Sequence, residues 1–250
     1  MAAASAAAAV VLAVLHALAG RVRGLHVVPR SWLLSAGSGV SAAYVFVHLL
    51  PELAHVQDHL VETSTVQQVP YLASHAWIVA LAGLAAVYGL ELSARRSRAE
   101  RSTASQGDAR GDAPPAPSVV GWGHVGSYAV YNAVIGYLLV ERAQVSATTL
   151  ATFAFAMGVH FLVNDHGLRE HHAALYDGRG RWVVAAGVLV GWAVGMATTI
   201  AEATLGLLIA FLGGGIIMNV LKEELPADRR ARWTPFALGA TAYTVLLLAV

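Results

Sequence analysis

The chain has 250 residues, of which 57% are hydrophobic and only 12% are charged, and its net charge is +1. This composition is typical of a protein that crosses a membrane several times rather than of a water-soluble domain. The near-neutral charge gives no electrostatic basis for nucleic-acid binding, and the absence of cysteine excludes disulfides, thiolate metal sites and cysteine nucleophiles.

Apolar stretches long enough to cross a bilayer, about 20 residues each, recur along the chain. We predict an all-α, polytopic membrane protein with eight transmembrane helices, at about residues 3–20, 32–51, 71–93, 119–140, 147–166, 182–200, 203–222 and 234–250. The sixth and seventh spans form one apolar run that is broken only near Glu202. A single helix of about 40 residues would be about 60 Å long, twice the bilayer core, so we expect two helices with a tight turn.

The basic residues fall on one side of this arrangement. With the N-terminus outside, the inner loops are 21–31, 94–118, 167–181 and 223–233, and with Lys222 they hold 15 of the 16 Lys and Arg residues. Only Arg142 falls outside. The positive-inside rule therefore predicts a multi-pass protein of the cell membrane with both termini outside. Loop 94–118 is rich in Arg, Ser, Asp, Gly and Pro, and is predicted to be a disordered cytoplasmic segment of one membrane domain covering 1–250.

The fifth span carries polar side chains among apolar ones. His160 has apolar neighbours on both sides, Asn164 follows one helical turn later on the same face, and Asp165 lies beside it. Ionisable groups inside a membrane helix usually face the protein interior or a wet path, because exposing them to lipid is costly. An imidazole, an amide oxygen and a carboxylate form part of a cation site. The alternative is a helix that becomes polar as it leaves the bilayer.

Polar residues also occur in the second and fourth spans. His48 and Glu52 share a face near the outer end of the second, where they could equally be solvated at the membrane interface. Asn132 lies near the middle of the fourth, where it could ligate an ion or equally hydrogen-bond a neighbouring helix. These residues are therefore candidates that the sequence alone leaves open.

The second and seventh spans share a pattern. Each has a polar residue, His48 or Glu223, three positions before a proline, and a glycine, Gly39 or Gly214, twelve positions before it. The two spans run in opposite directions in the predicted topology. This is typical of an inverted repeat, in which helices 1–3 correspond to helices 6–8 and helices 4 and 5 lie between them.

Eight spans, a polar inner loop after the third, outer termini and polar motifs on the fourth and fifth resemble the ZIP (Zrt/Irt-like) family of divalent metal transporters. Residues 40–52 (VSAAYVFVHLLPE) are similar to the family's second helix, and residues 215–226 to its seventh. Residues 131–136 (YNAVIG) are similar to the HNxxDG pattern of its fourth helix, and residues 160–167 (HFLVNDHG) to the HExxHELG pattern of its fifth. Several ligand positions of these patterns are occupied by other residue types here.

The resemblance implies a transporter that moves a divalent cation, zinc before others, into the cytoplasm. The ion would be the substrate, with no separate cofactor, and the ion and the lipid bilayer would be the partners of the chain, which the family implies is a homodimer. The implied metal ligands are Asn132, His160, Asn164, Asp165, His48 and Glu223.

Two other functions stay open at this point. One is a non-transporting relative that acts as a membrane metal sensor or scaffold. The other is a metal-dependent intramembrane hydrolase, which would need about three protein ligands around one ion and an acid–base group. Because no span carries a histidine pair at i and i+4, the hydrolase ranks last, and we expect the protein not to be an enzyme.

Overall fold

The computed structural model describes residues 1–19, 32–63, 76–107, 119–224 and 232–249, and within these ranges the chain forms eight helices. Two π-helical stretches, Tyr44–Leu49 and Tyr176–Gly180, connect α-helical segments. The helices are α1 (Ala2–Ala19), α2 (Trp32–Ala43, Tyr44–Leu49 and Leu50–Thr63), α3 (Ala76–Gly107), α4 (Val119–Val145), α5 (Ala147–Leu175), α6 (Arg181–Ala197), α7 (Glu202–Glu224) and α8 (Trp233–Ala249).

Within the described residues the all-α fold is confirmed, and each predicted span overlaps a helix. In the described part of the chain, six segments are long and apolar enough to cross a membrane: Ala2–Ala19, Trp32–His55, Ala76–Ser93, Ala147–Arg169, His172–Ala197 and Thr204–Lys222. Helix α4 has 27 residues but is more polar, and α8 is apolar but has only 17 residues. These lengths and compositions are those of a membrane protein.

The predicted break between the sixth and seventh spans is also confirmed. Helix α6 ends at Ala197, Thr198 has extended backbone angles (φ −138°, ψ 154°), and α7 begins at Glu202. The Ile200 amide donates a hydrogen bond to the Tyr137 hydroxyl of α4 over 3.0 Å. This bond satisfies a backbone donor that the break removes from the helical pattern.

Two predicted inner loops are more helical than expected. Helix α3 runs on to Gly107, into the segment predicted to be disordered from residue 94, because this stretch is rich in Ala and Arg and contains no proline. Residues 108–118 lie outside the described residues. The prediction of a loop at 167–181 is wrong. The chain is helical there and bends at His172, which has non-helical backbone angles (φ −140°, ψ 48°) and a buried side chain.

Helices α4 and α6 pack side by side through small residues. Gly187 of α6 lies against the backbone of Ala129, and Gly191, one turn later, lies against Ala133, one turn later in α4. The contact residues have increasing numbers in both helices along the interface, so the two helices run in the same direction. Helix α5 starts at the end of α4 and returns to its beginning, where Gly180 meets Val125, so α5 runs opposite to both. Helix α1 packs against all three and completes a four-helix group.

The remaining helices form a second group in which α2 packs on α8 and α3 packs on α7. Gly39 of α2 lies against the backbone of Phe236 and Ala240 in α8. In return, Gly239 of α8 lies against the backbone of Ala36 in α2. The two backbones therefore touch at this crossing, with no room for a side chain on either glycine.

The crossing of α3 and α7 repeats this contact. Gly214 of α7 lies against the backbone of Ala80 and Leu84, and Gly83 of α3 lies against the backbone of Phe211. The spacing is the same in both crossings: the glycine follows the contacted backbone residue by three positions in every helix. Helix α7 thus takes the role of α2, and α3 takes the role of α8.

We predict that Gly39→Ala and Gly214→Ala both destabilise the protein, by roughly 1–3 kcal/mol, because the new methyl group would overlap a neighbouring backbone. Gly89→Ala is the control, since no other helix among the described residues lies within 4 Å of its new methyl group and alanine favours a helix by about 0.5–1 kcal/mol. Thermal unfolding of the three variants in one detergent measures this. Equal midpoints for all three would contradict the packing described.

Candidate cation site

The centre of the four-helix group is a hydrogen-bonded network between α1, α4 and α5. His16 Nδ1 lies 2.8 and 2.9 Å from the two carboxylate oxygens of Asp165. On the other side of the ring, His16 Nε2 lies 2.9 Å from the Asn132 amide nitrogen. All three residues are at most 4% exposed. Three helices that are distant in sequence are therefore joined through one imidazole.

The orientation of the Asn132 amide fixes the state of His16. The amide nitrogen also lies 3.1 Å from the Val184 carbonyl oxygen of α6, to which it can only donate. Its second hydrogen then points at His16 Nε2, which must accept it and cannot carry a proton. His16 is therefore the neutral tautomer with its proton on Nδ1, donated to Asp165.

The Asp165 carboxylate and the His16 ring are enclosed by neighbouring side chains. The Tyr176 hydroxyl, in the π-helical turn between α5 and α6, donates a hydrogen bond to the His16 carbonyl oxygen over 3.3 Å. Phe161 covers the His16 ring at 4.3 Å between ring centres. The carboxylate is thus buried beside an aromatic side chain and held by the N–H of His16.

His160 and Asn164 form a separate pair on α5, with Asn164 directly before Asp165 and His160 one helical turn before Asn164. His160 Nε2 lies 2.8 Å from the Asn164 amide nitrogen, and both side chains are buried. The ring of Tyr131 in α4 lies 6.1 Å from the His160 ring, centre to centre. We expected Asn132 and His160 to meet, but the structure pairs Asn132 with His16 and His160 with Asn164.

The other two predicted ligands are His48 of α2 and Glu223 of α7. His48 is half-buried in the π-helical part of α2, with its ring 5.3 Å from the Tyr44 ring and with Glu52 and Arg142 as the nearby charges. The Glu223 side chain lies outside the described residues. Across the ranges that are described, no group of three or more His, Asp and Glu side chains could hold one metal ion.

His16 was missed by the sequence analysis, which followed the motifs of the fourth and fifth spans. Its signal was the same as that of His160, a histidine with apolar residues on both sides inside a predicted span. The pairing of His16 with Asp165 joins residues 149 positions apart, so no local pattern reveals it.

An ion pair joins the two helix groups at a second polar cluster. The Arg142 guanidinium of α4 donates to both oxygens of Glu52 in α2, at 2.6 and 2.8 Å, and lies 5.9 Å from the centre of the Phe153 ring. Arg142 is buried, whereas the Glu52 side chain is 28% exposed. The basic residue that the predicted topology leaves on the outer side is thus neutralised by a bidentate carboxylate.

No protein-family model, curated protein or solved structure matches the chain. The resemblance to the ZIP family therefore stays a prediction.

We predict that Arg142→Gln destabilises the protein, by roughly 1–3 kcal/mol, because removing one partner of a partly buried ion pair leaves the Glu52 charge uncompensated. Adding Glu52→Gln should recover most of this loss, since the remaining groups are neutral. Chemical unfolding of the two single variants and the double variant forms a double-mutant cycle. Additive losses in the double variant would show that the two charges do not interact.

Proposed function

We propose that the chain is a multi-pass protein of the cell membrane that transports a divalent cation, zinc before others, into the cytoplasm. The observation that carries this proposal is the buried network of His16, Asn132 and Asp165. Ionisable side chains inside membrane helices are rare and usually mark the path of an ion or substrate. Here three helices contribute to one such cluster, and the His160–Asn164 pair directly precedes Asp165 on α5.

The helix arrangement supports the proposal in a second way. The glycine crossings of α2 with α8 and of α3 with α7 have the same spacing, with α7 corresponding to α2 and α3 corresponding to α8. This is the relation expected from an inverted repeat of helices 1–3 and 6–8, which is common among secondary transporters. We propose accordingly that all eight helices cross the membrane in a ZIP-like arrangement with both termini outside.

A second candidate is a non-transporting relative that senses a metal ion or acts as a scaffold. The observation that favours it is that the donors and acceptors of the network are already matched to one another within the protein. A network of this kind also holds helices together without any ion. The metal-dependent hydrolase has less support, because the described residues offer no three-ligand metal group.

We predict that Asp165→Asn and His16→Gln each reduce cation uptake about tenfold or more, the scale seen when groups that support a metal site are removed. Both variants keep a polar side chain of similar size, so packing is largely retained. The measurement is uptake of zinc, manganese, iron(II) and cobalt into vesicles, at matched amounts of protein. His124→Gln is the matched control, since His124 is equally buried and lies on α4 outside the network.

Uptake by the wild type with a normal rate in both network variants would remove this network from the transport path. No uptake of any of the four ions by the wild type would favour the non-transporting relative.

A further inference from the structure

The Asn132 amide nitrogen occupies a point at which two lone pairs converge. His16 Nε2 is 2.9 Å from it and the Val184 carbonyl oxygen is 3.1 Å from it, and these acceptors belong to α1 and α6. A position surrounded by acceptors suits either an N–H donor or a cation. The amide therefore fills the place of a positive ion with its own polar hydrogens.

The side-chain amide of Asn132 also has an oxygen atom that can ligate a metal ion. Rotation of the Asn132 side chain by half a turn withdraws the nitrogen from His16 and presents the amide oxygen instead, and amide oxygens are common ligands of hard divalent ions. In this orientation the oxygen would face two other acceptors, which is unfavourable unless a cation lies between them. The rotation and cation binding are therefore coupled.

We propose that a divalent cation binds between His16 Nε2, the Val184 carbonyl oxygen and the amide oxygen of Asn132, and that Asp165 orients His16 without touching the ion. A carboxylate on the far nitrogen of a ligating imidazole is a common device in metal sites, where it fixes the tautomer and raises the basicity of the ligand. His16 already has the tautomer that this requires, with Nδ1 bonded to Asp165.

The proposed ligands fit a transported ion better than a tightly held one. They are one imidazole nitrogen and two neutral oxygens, with the only nearby negative charge on Asp165 beyond the ring. Such a mixed set suits zinc, manganese, iron(II) or cobalt, and ions that must leave need weak ligation. Metal bonds are about 2.0–2.2 Å long, so two ligands at right angles around one ion lie about 3 Å apart. The rotated amide oxygen would take the place of the nitrogen, 2.9 and 3.1 Å from the two acceptors, so these separations suit one shared ion.

This inference rests on the proposed function for the class of ion, but it is tested by binding rather than by transport. The full-length protein in nanodiscs is loaded with manganese(II), and pulsed electron paramagnetic resonance detects the magnetic coupling of the ion to imidazole nitrogen. We expect the coupling in the wild type and in His124→Gln, and its loss in His16→Gln. In Asp165→Asn the coupling should remain while manganese binding weakens about 10–100-fold.

Coupling that persists in His16→Gln would overturn the proposal, as would a wild type that binds no manganese. Loss of all binding in Asp165→Asn, with binding retained in His16→Gln, would make Asp165 the direct ligand and also overturn it. Nitrogen coupling to His16 without any uptake would leave the site in place and remove the transport function. Wild-type uptake that His16→Gln does not reduce would leave the transport function in place and overturn the proposed site.

Asn132→Asp provides a second test that does not depend on the folding of His16→Gln. The new carboxylate cannot donate to His16 or to Val184, so the protein without metal should unfold at a lower temperature than the wild type. A cation between these groups would gain a charged ligand, so manganese should bind at least about tenfold more tightly and restore the lost stability. Destabilisation that manganese, zinc and cobalt all fail to reverse would show that Asn132 is only a helix-joining residue.

Discussion

The constraint on which the structure depends is the burial of the Asp165 carboxylate among apolar helices. A buried charge is tolerated only when hydrogen bonds and polar partners replace the water it has lost. His16 from α1 supplies this hydrogen bond, and Asn132 of α4 then binds the other side of the His16 ring. One charge thereby specifies the relative placement of α1, α4 and α5, and the Val184 contact adds α6.

Backbone contact at glycines provides the complementary constraint. Lipid gives no hydrophobic driving force between helices, so close van der Waals packing has to hold them together. Helices α4 and α6 meet along a row of small residues, whereas α2 with α8 and α3 with α7 meet at single crossings of the same design. Between the two helix groups, the interface is mostly apolar, and the Glu52–Arg142 ion pair, with Phe153 beside it, is a polar contact within it.

The positions of the helices were predictable from the sequence because apolar length and composition decide them, and the break near Glu202 followed from length alone. The helical content of 94–107 and the helical turn at 172–180 were not, because polar composition does not distinguish a solvated helix from a loop. For the site, His160, Asn164, Asp165 and Asn132 were recognised as buried polar residues. Their partners were not, since pairing depends on how helices far apart in sequence pack, and His16 belongs to no motif.

The protonation of His16 tests the central claim most directly, because every other contact of the network follows from it. Nitrogen-15 magnetic resonance of histidine-labelled protein in a bilayer, with His16→Gln to assign the signal, distinguishes the two tautomers and the charged form. The account predicts a neutral ring at pH 7 with the proton on Nδ1 and an unprotonated Nε2. An imidazolium, or a proton on Nε2, would contradict it, because the Asn132 amide could then no longer donate to both His16 and Val184.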